Sequence, residues 1–197
     1  MTCCCIERDF CVQASETWHP TIRWSSGGLT TKPISGIAQS APAQITSATH
    51  GVPAGWPVAV TGVQGMTQIN CNSYPPAKDQ FHYTTLVDIN TLQLNDVSSA
   101  DMSPYLSGGF LVYATPQDLS MVTASLVIYD NPNHTGTPLA TLTDSGGGIA
   151  LDNTLKTITP LLQTAGLTWT TGYYTLIATS TGSGVVTELM RGTLTIE

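Results

Sequence analysis

Between Ile45 and Gly109 short β-branched runs alternate with isolated glycines, a pattern that only a compact β-domain accommodates readily. Ile45-Thr-Ser-Ala-Thr-His50-Gly51 leads to Gly55-Trp-Pro-Val-Ala-Val60-Thr-Gly62-Val-Gln-Gly65-Met66. Asp88-Ile-Asn90-Thr91-Leu92-Gln-Leu94 follows, then Tyr105-Leu-Ser107-Gly108-Gly109. Gly51, Gly62, Gly65 and the Gly108–Gly109 pair stand at the corners, where a positive φ costs glycine nothing and other residues much. A small barrel or meander is the expectation. Val58 and Val60 share one face, with Phe81, Tyr83, Leu86, Leu92 and Leu94 completing a small core.

The flanks read as β-structure of a more regular kind. Ile22 and Trp24 alternate with Thr21 and Arg23, and Pro20 suits the start or edge of that strand. Gly27–Gly28 reads as a turn, and Thr30–Ser40 as a Pro/Ser-containing link. After Phe110–Tyr113 comes the clearest strand, Met121–Tyr129, with Val122, Ala124, Leu126 and Ile128 on one face and Thr123 and Ser125 on the other. Asp130-Asn-Pro-Asn-His-Thr-Gly136 is a turn. Leu139–Leu142, Ile149–Leu151 and Leu155–Thr159 read as short strands. Pro160–Gly166 is the only helix-like window, closed by its glycine. Tyr173–Thr179 and Val185–Ile196 form a hairpin bent at Gly182-Ser-Gly184, with Gly192, Leu194 and Ile196 on one face. The fold class expected is therefore all-β.

Two resemblances refine this reading. The order of motifs from Ile45 to Gly109 resembles the module named after the first catalytic cysteine half-domain of ubiquitin-activating enzyme, which recurs in tail and baseplate proteins of bacteriophages. Cys71 matches no catalytic cysteine of that enzyme, so no such chemistry is implied. The flanking segments are Trp18-His-Pro-Thr-Ile-Arg23-Trp24, Pro116-Gln-Asp118-Leu119, Ile149-Ala-Leu151-Asp152, Gly172-Tyr173-Tyr174 and Val186–Ile196. In that order they resemble the immunoglobulin-like β-sandwich at the amino end of phage baseplate upper proteins. Together these imply a discontinuous sandwich of residues 1–35 and 112–197, with a small β-barrel-like domain of residues 36–111 inserted in its first connection. Insertion at an exposed loop is tolerable, because loop-closure entropy grows slowly with length.

Composition restricts what such a chain binds. Only 10% of the 197 residues are charged, the net charge is −7, and six lysines and arginines are scattered along the sequence. No basic stripe exists to neutralise phosphates, so nucleic acid is not an expected partner. No apolar run approaches the ~20 residues that cross a bilayer, so no membrane is expected either. Met1-Thr-Cys-Cys-Cys-Ile-Glu-Arg-Asp lacks the basic and apolar regions of a signal peptide, from which cytoplasmic synthesis is expected.

Five cysteines, Cys3, Cys4, Cys5, Cys11 and Cys71, cannot all pair within one chain. Three readings stand: reduced, inert thiols; interchain disulfides through Cys3, Cys4, Cys5 and Cys11; or zinc, for which the ligand spacing is wrong. His19, His50, His82 and His134 show no HxH or HExxH spacing, and His50 before Gly51 reads as a turn residue or a capped core histidine. Asp130, Asn131 and Asn133 fit no EF-hand loop. Asn133-His-Thr135 matches a glycosylation acceptor that matters only in a eukaryotic secretory product. Gly146-Gly-Gly148 lacks the lysine and helix of a phosphate cradle. No cofactor or metal is expected, and an enzyme is the weakest class. Among the four tryptophans, Trp18 and Trp24 suit the sandwich core. Trp56, between Gly55 and Pro57, is the expected exposed aromatic, for a protein interface or a sugar ring.

The resemblances imply a structural protein of the virion of a tailed phage, an adaptor in tail, baseplate or neck. It would hold other phage structural proteins as a homo-oligomer around a symmetry axis. The alternative is a module that binds a host glycan.

Overall fold

A computed structural model describes residues 6–197, of which strands make up about half: strands account for 51% and helix for 3%. The chain is all-β and divides into two compact units, residues 1–24 with 117–197, and residues 25–116. In chain order the strands are β1 (Ile6–Glu7), β2 (Phe10–Val12), β3 (Thr17–Trp18) and β4 (Ile22–Arg23). Those of the inserted unit are β5 (Ser25–Pro33), β6 (Gly36–Ala38), β7 (Ala43–Thr46), β8 (Pro57–Gln64), β9 (His82–Asp88), β10 (Thr91–Leu94) and β11 (Ser107–Pro116). The remainder are β12 (Val122–Tyr129), β13 (Ala140–Thr143), β14 (Ile149–Asp152), β15 (Thr157–Pro160), β16 (Leu162–Gln163), β17 (Thr171–Ser180) and β18 (Val186–Ile196).

The discontinuous unit is a β-sandwich. One layer runs β1-β18-β17-β12-β13, with β2 also paired to β18; the other contains β14-β15-β4 and β16-β3. β12 alternates as its sequence requires: Val122, Ala124, Leu126 and Ile128 are buried while Thr123 is exposed. They meet Tyr174, Leu176 and Ala178 of β17 and Leu194 of β18, with Trp18, Ile22, Ile149, Ile158 and Leu162 packed against them. Burying a side chain of this size contributes about 1.5–3 kcal/mol, so these residues dominate the unit's stability. Pro160–Gly166 is not helical. Leu162 pairs with Trp18 and Gln163 with Thr17. Thr164 donates from Oγ1 to the Glu16 carbonyl at 2.6 Å. Long-range pairing to β3 overrides the local preference, and Gly166 then turns the chain at φ +78.

The inserted unit begins and ends outside the bounds expected from sequence. Ser25–Pro33 is not a turn and a link but an edge strand, aligned with β11 from Pro33↔Phe110 to Ser25↔Pro116. Phe110–Tyr113 accordingly belongs to this unit, with Leu111 and Tyr113 in its core. Its seven strands follow the open order β5-β11-β8-β9-β10-β7-β6. The sheet nevertheless rolls up. The Ile34 N–H donates to Gly109 O of β11, and the next residue, Ser35, donates to Thr46 O of β7. Two adjacent residues thus bond to strands near opposite ends of the sheet. The roll stays open, since its end strands, β5 and β6, do not pair with each other, so the barrel-like expectation gives way to a curled open sheet. Gly65 turns at φ +85 where a Cβ would lie 2.2 Å from Pro104 O, which makes glycine obligatory there.

Candidate binding region on the inserted unit

The most elaborate loop of the inserted unit joins β8 to β9. Met66, fully buried, and Ile69 anchor its first turn, Thr67–Ile69, in the core. Asn70 then imitates a strand residue: its side-chain oxygen accepts the Val63 N–H at 2.8 Å, and its amide donates to Val63 O at 2.9 Å. The Cys71 N–H donates to Val60 O at 2.7 Å. Gln80 closes the far half, its Oε1 accepting the Ala77 N–H at 3.0 Å and lying 3.1 Å from Ser73 Oγ. Buried or desolvated backbone groups need such partners, so the loop holds a defined shape without regular structure of any length.

Each side of this loop borders a cleft of ≈ 480 Å³, the size of an ordinary ligand site. The first is polar. Gln68, Asn70, Cys71, Asp79, His82 and Asp96 line it. His82 Nδ1 lies 3.0 Å from both Asp96 oxygens, which fixes the imidazole ring. Cys71 shares the cleft, but its thiol donates to Ser73 O at 3.2 Å. Among the described residues no hydrogen bond joins Cys71 to His82, so the contact that activates a thiol nucleophile is missing. Nor do three His, Cys, Asp or Glu side chains among the described residues come together to hold a metal ion.

The second cleft is apolar. It opens between the loop, through Pro75, Pro76, Lys78 and Phe81, and the outer face of the sheet. Ala114 is paired with Leu29, Pro57 with Tyr83, and the β11–β8 register brings Ala114 opposite Pro57. Leu29, Ala114, Pro57 and Tyr83 therefore form one transverse row across four strands. Tyr83, expected in the core, is 61% exposed, and Leu86 is exposed as well. For Tyr83 the reason is the phase of β9: Thr84 is the inward residue, its hydroxyl donating to Trp56 O at 2.8 Å, so the adjacent Tyr83 points outward. Leu86 shares the side of Thr84, opposite Leu92, and is exposed where β9 nears its turn into β10.

Trp56 lies elsewhere than expected. It is 2% exposed, and its indole N–H donates to Ala114 O at 2.9 Å, so it is a core residue and not the exposed aromatic expected. Trp18 is buried in the sandwich core, with Trp24 and Trp169 packed against it. His50 is the capped core histidine that was one of its two readings: Nδ1 accepts the Val52 N–H at 3.0 Å and Nε2 lies 3.3 Å from Asp88 O. Burial lowers its pKa. Cys3, Cys4 and Cys5 lie outside the described residues. Cys11 is exposed and free, and a hydrogen bond to Glu197 is the main cause of its raised thiol pKa. That reduces the thiolate on which disulfide exchange depends. Cys71 is also free, so no disulfide joins described residues. No helix among them is long and apolar enough to cross a membrane.

The sandwich unit has a cleft of its own, of ≈ 370 Å³, lined by Glu7, Asp9, His134, Tyr173, Arg191 and Thr193 among others. His134 sits in the left-handed region at φ 53, on the turn whose Asn131 amide donates to Thr135 O. Its Nδ1 lies 2.9 Å from Thr175 Oγ1, and its ring meets Tyr129 and Tyr173 edge-on.

No protein-family model matches this chain, and no curated protein does.

Proposed function

We propose that the protein is a structural component of a tailed-phage particle, an adaptor that holds other virion proteins in tail, baseplate or neck. The observation that carries this reading is that each unit ends a hairpin in exposed apolar side chains. In the inserted unit Leu86, Val87 and Ile89 stand exposed where β9 turns into β10, Ile89 at 67%. In the sandwich Val185 and Val186, at the bend from β17 to β18, are exposed at 59% and 60%. Met121 is exposed beside that bend, its carbonyl accepting the Thr181 N–H. Apolar groups grouped in this way mark surfaces that gain by being covered by protein. Rigid strands behind them mean that little conformational freedom is lost on docking.

In this reading copies assemble around a symmetry axis, and Cys3, Cys4, Cys5 and Cys11 supply interchain ties once particles leave the reducing cytoplasm. Particles run on denaturing gels after thiol blocking would then show a ladder that collapses with reductant. The glycan-binding alternative has lost Trp56 as its contact.

The test is incorporation. Ile89→Asp and Val186→Asp place a charge on exposed hairpin ends and leave the circular dichroism of the purified protein unchanged. Each is expected to lower the amount of the chain recovered in purified particles. Absence of the wild-type chain from particles, or incorporation of both variants at the wild-type level, would overturn the proposal.

A further inference from the structure

We infer that the apolar cleft beside the β8–β9 loop binds an extended, proline-containing segment of a partner protein that carries a carboxylate. This goes beyond the adaptor reading, which rests on the hairpin ends, and it concerns a different surface. The walls are ring faces and aliphatic side chains: Pro57, Pro75, Pro76, Phe81, Tyr83 and Leu29. Tyr83 stands 61% exposed on a strand that is well paired, so its ring is held ready at little further entropic cost.

What the walls lack selects the occupant. Lys78 and the Tyr83 hydroxyl are the only polar side-chain groups lining the cleft. A pyranose ring would bring several hydroxyls into it and find few partners, and a buried polar group without a partner costs free energy. A strand with a full set of N–H donors meets the same difficulty. A prolyl segment does not, because proline has no N–H and its ring is apolar. In polyproline II conformation such a segment is already extended before binding, and its rings pack between aromatic and prolyl ridges.

Charge then sets its sign. Lys78 is the only charged residue on the cleft and forms no ion pair among the described residues. In a chain of net charge −7, an unpaired ammonium on the rim of an apolar site favours an acidic ligand and repels a basic one.

The full chain can be titrated with two fluorescent decaproline-based peptides, one with a central glutamate and one with a central lysine, and with a Gly/Ser peptide carrying the same glutamate. Isotope-labelled protein reports the site through amide shifts. The expected result is binding of the glutamyl proline peptide, with shifts confined to Leu29, Lys78, Phe81, Tyr83 and Ala114. Tyr83→Ala, at an exposed position, should weaken it by about tenfold. Lys78→Glu should reverse the preference between the two proline peptides. Four outcomes would each overturn the inference: no shifts at these residues up to millimolar peptide; equal binding of the Gly/Ser peptide; an unchanged charge preference in Lys78→Glu; or shifts at the cleft with an acidic oligosaccharide and none with peptide.

Discussion

The two units solve the same problem, an all-β core, in different ways. In the sandwich, apolar alternation along β12, β17 and β18 fills the space between layers, and an aromatic cluster seals one end. Phe10 and Tyr174 each meet Trp18, with ring centroids 5.3 Å from it in both cases. In the inserted unit the core is threaded with polar groups: Ser47, His50, Thr84 and Ser99 are all buried there. Three of them bond to the main chain at bends. Ser99 Oγ accepts the Ser40 N–H and lies within donating distance of Ala38 O and Ser40 O. Thr84 bonds to Trp56 O, and His50 bridges Val52 and Asp88. A sandwich can be specified by pattern. A sheet rolled tightly enough to bring β7 and β11 to adjacent residues has corners whose backbone groups cannot pair in a ladder, so side chains and glycines must serve them.

The largest effect that would test this contrast is the loss of the aromatic seal. Trp18→Ala removes a side chain that is 3% exposed and leaves a cavity between Phe10 and Tyr174, for a cost of about 3–5 kcal/mol. Chemical denaturation should show the midpoint fall, and hydrogen exchange should place the lost protection in β12 and β17. An exposed Trp18, or a cost near zero, would mean that alternation alone stabilises the sandwich.

Next in size is a corner of the rolled sheet. Gly65→Ala combines a φ of +85 with a Cβ only 2.2 Å from the Pro104 carbonyl, so the main chain itself must move. Strain of this kind costs about 1–3 kcal/mol, more if the β8–β11 register is disturbed. Gly27→Ala is the control. It also lies at positive φ, +87, but nothing stands within 4 Å of its Cβ, so any smaller loss there isolates the dihedral from the clash.

Ser99→Ala should cost about 1–3 kcal/mol, because it leaves the Ser40 N–H without its side-chain acceptor. Ser99→Thr keeps the hydroxyl, and its recovery of stability, read in the same denaturation experiment, would separate the lost bond from altered packing.

These contrasts also explain what the residues revealed before any fold was known. β12 was legible because Val122, Ala124, Leu126 and Ile128 alternate with the polar Thr123 and Ser125. β9 was not. Its buried position is the polar Thr84, while the apolar Tyr83 beside it faces outward and Leu86 is exposed near the hairpin end, so hydrophobicity placed solvent-facing side chains in the core. β5 was missed for a related reason: Ser-Ser-Gly-Gly-Leu-Thr-Thr-Lys-Pro reads as a linker, and only pairing with β11 makes it a strand. The glycines Gly51, Gly62, Gly65, Gly108 and Gly109 all have the expected positive φ, but Gly62, Gly108 and Gly109 lie within β8 and β11 rather than at corners between strands. The clefts around residues 67–81 had no local signature. They depend on Asn70 copying a strand, on Gln80 reaching back to Ala77 and Ser73, and on the outward phase of β9.

The smallest expected effect concerns the polar core and pH. In the folded unit His50 accepts the Val52 N–H at Nδ1, which is possible only while that nitrogen carries no proton, and burial lowers its pKa further. In the unfolded chain an imidazole takes up a proton near its ordinary value of about 6.5. Below that value the unfolded state binds more protons than the native one, so stability falls as pH drops and levels off only once the native histidine is protonated too. Above it the group contributes no pH dependence. His50→Asn keeps a side-chain acceptor for Val52 but does not titrate. The difference in unfolding free energy between wild type and variant should therefore be constant above neutrality and shift against the wild type as the pH falls from 7 toward 5. Carboxylates and the other three histidines cancel in that difference. A difference independent of pH would mean that His50 is protonated equally in both states, and that the inserted unit's polar core is less shielded from water than its burial implies.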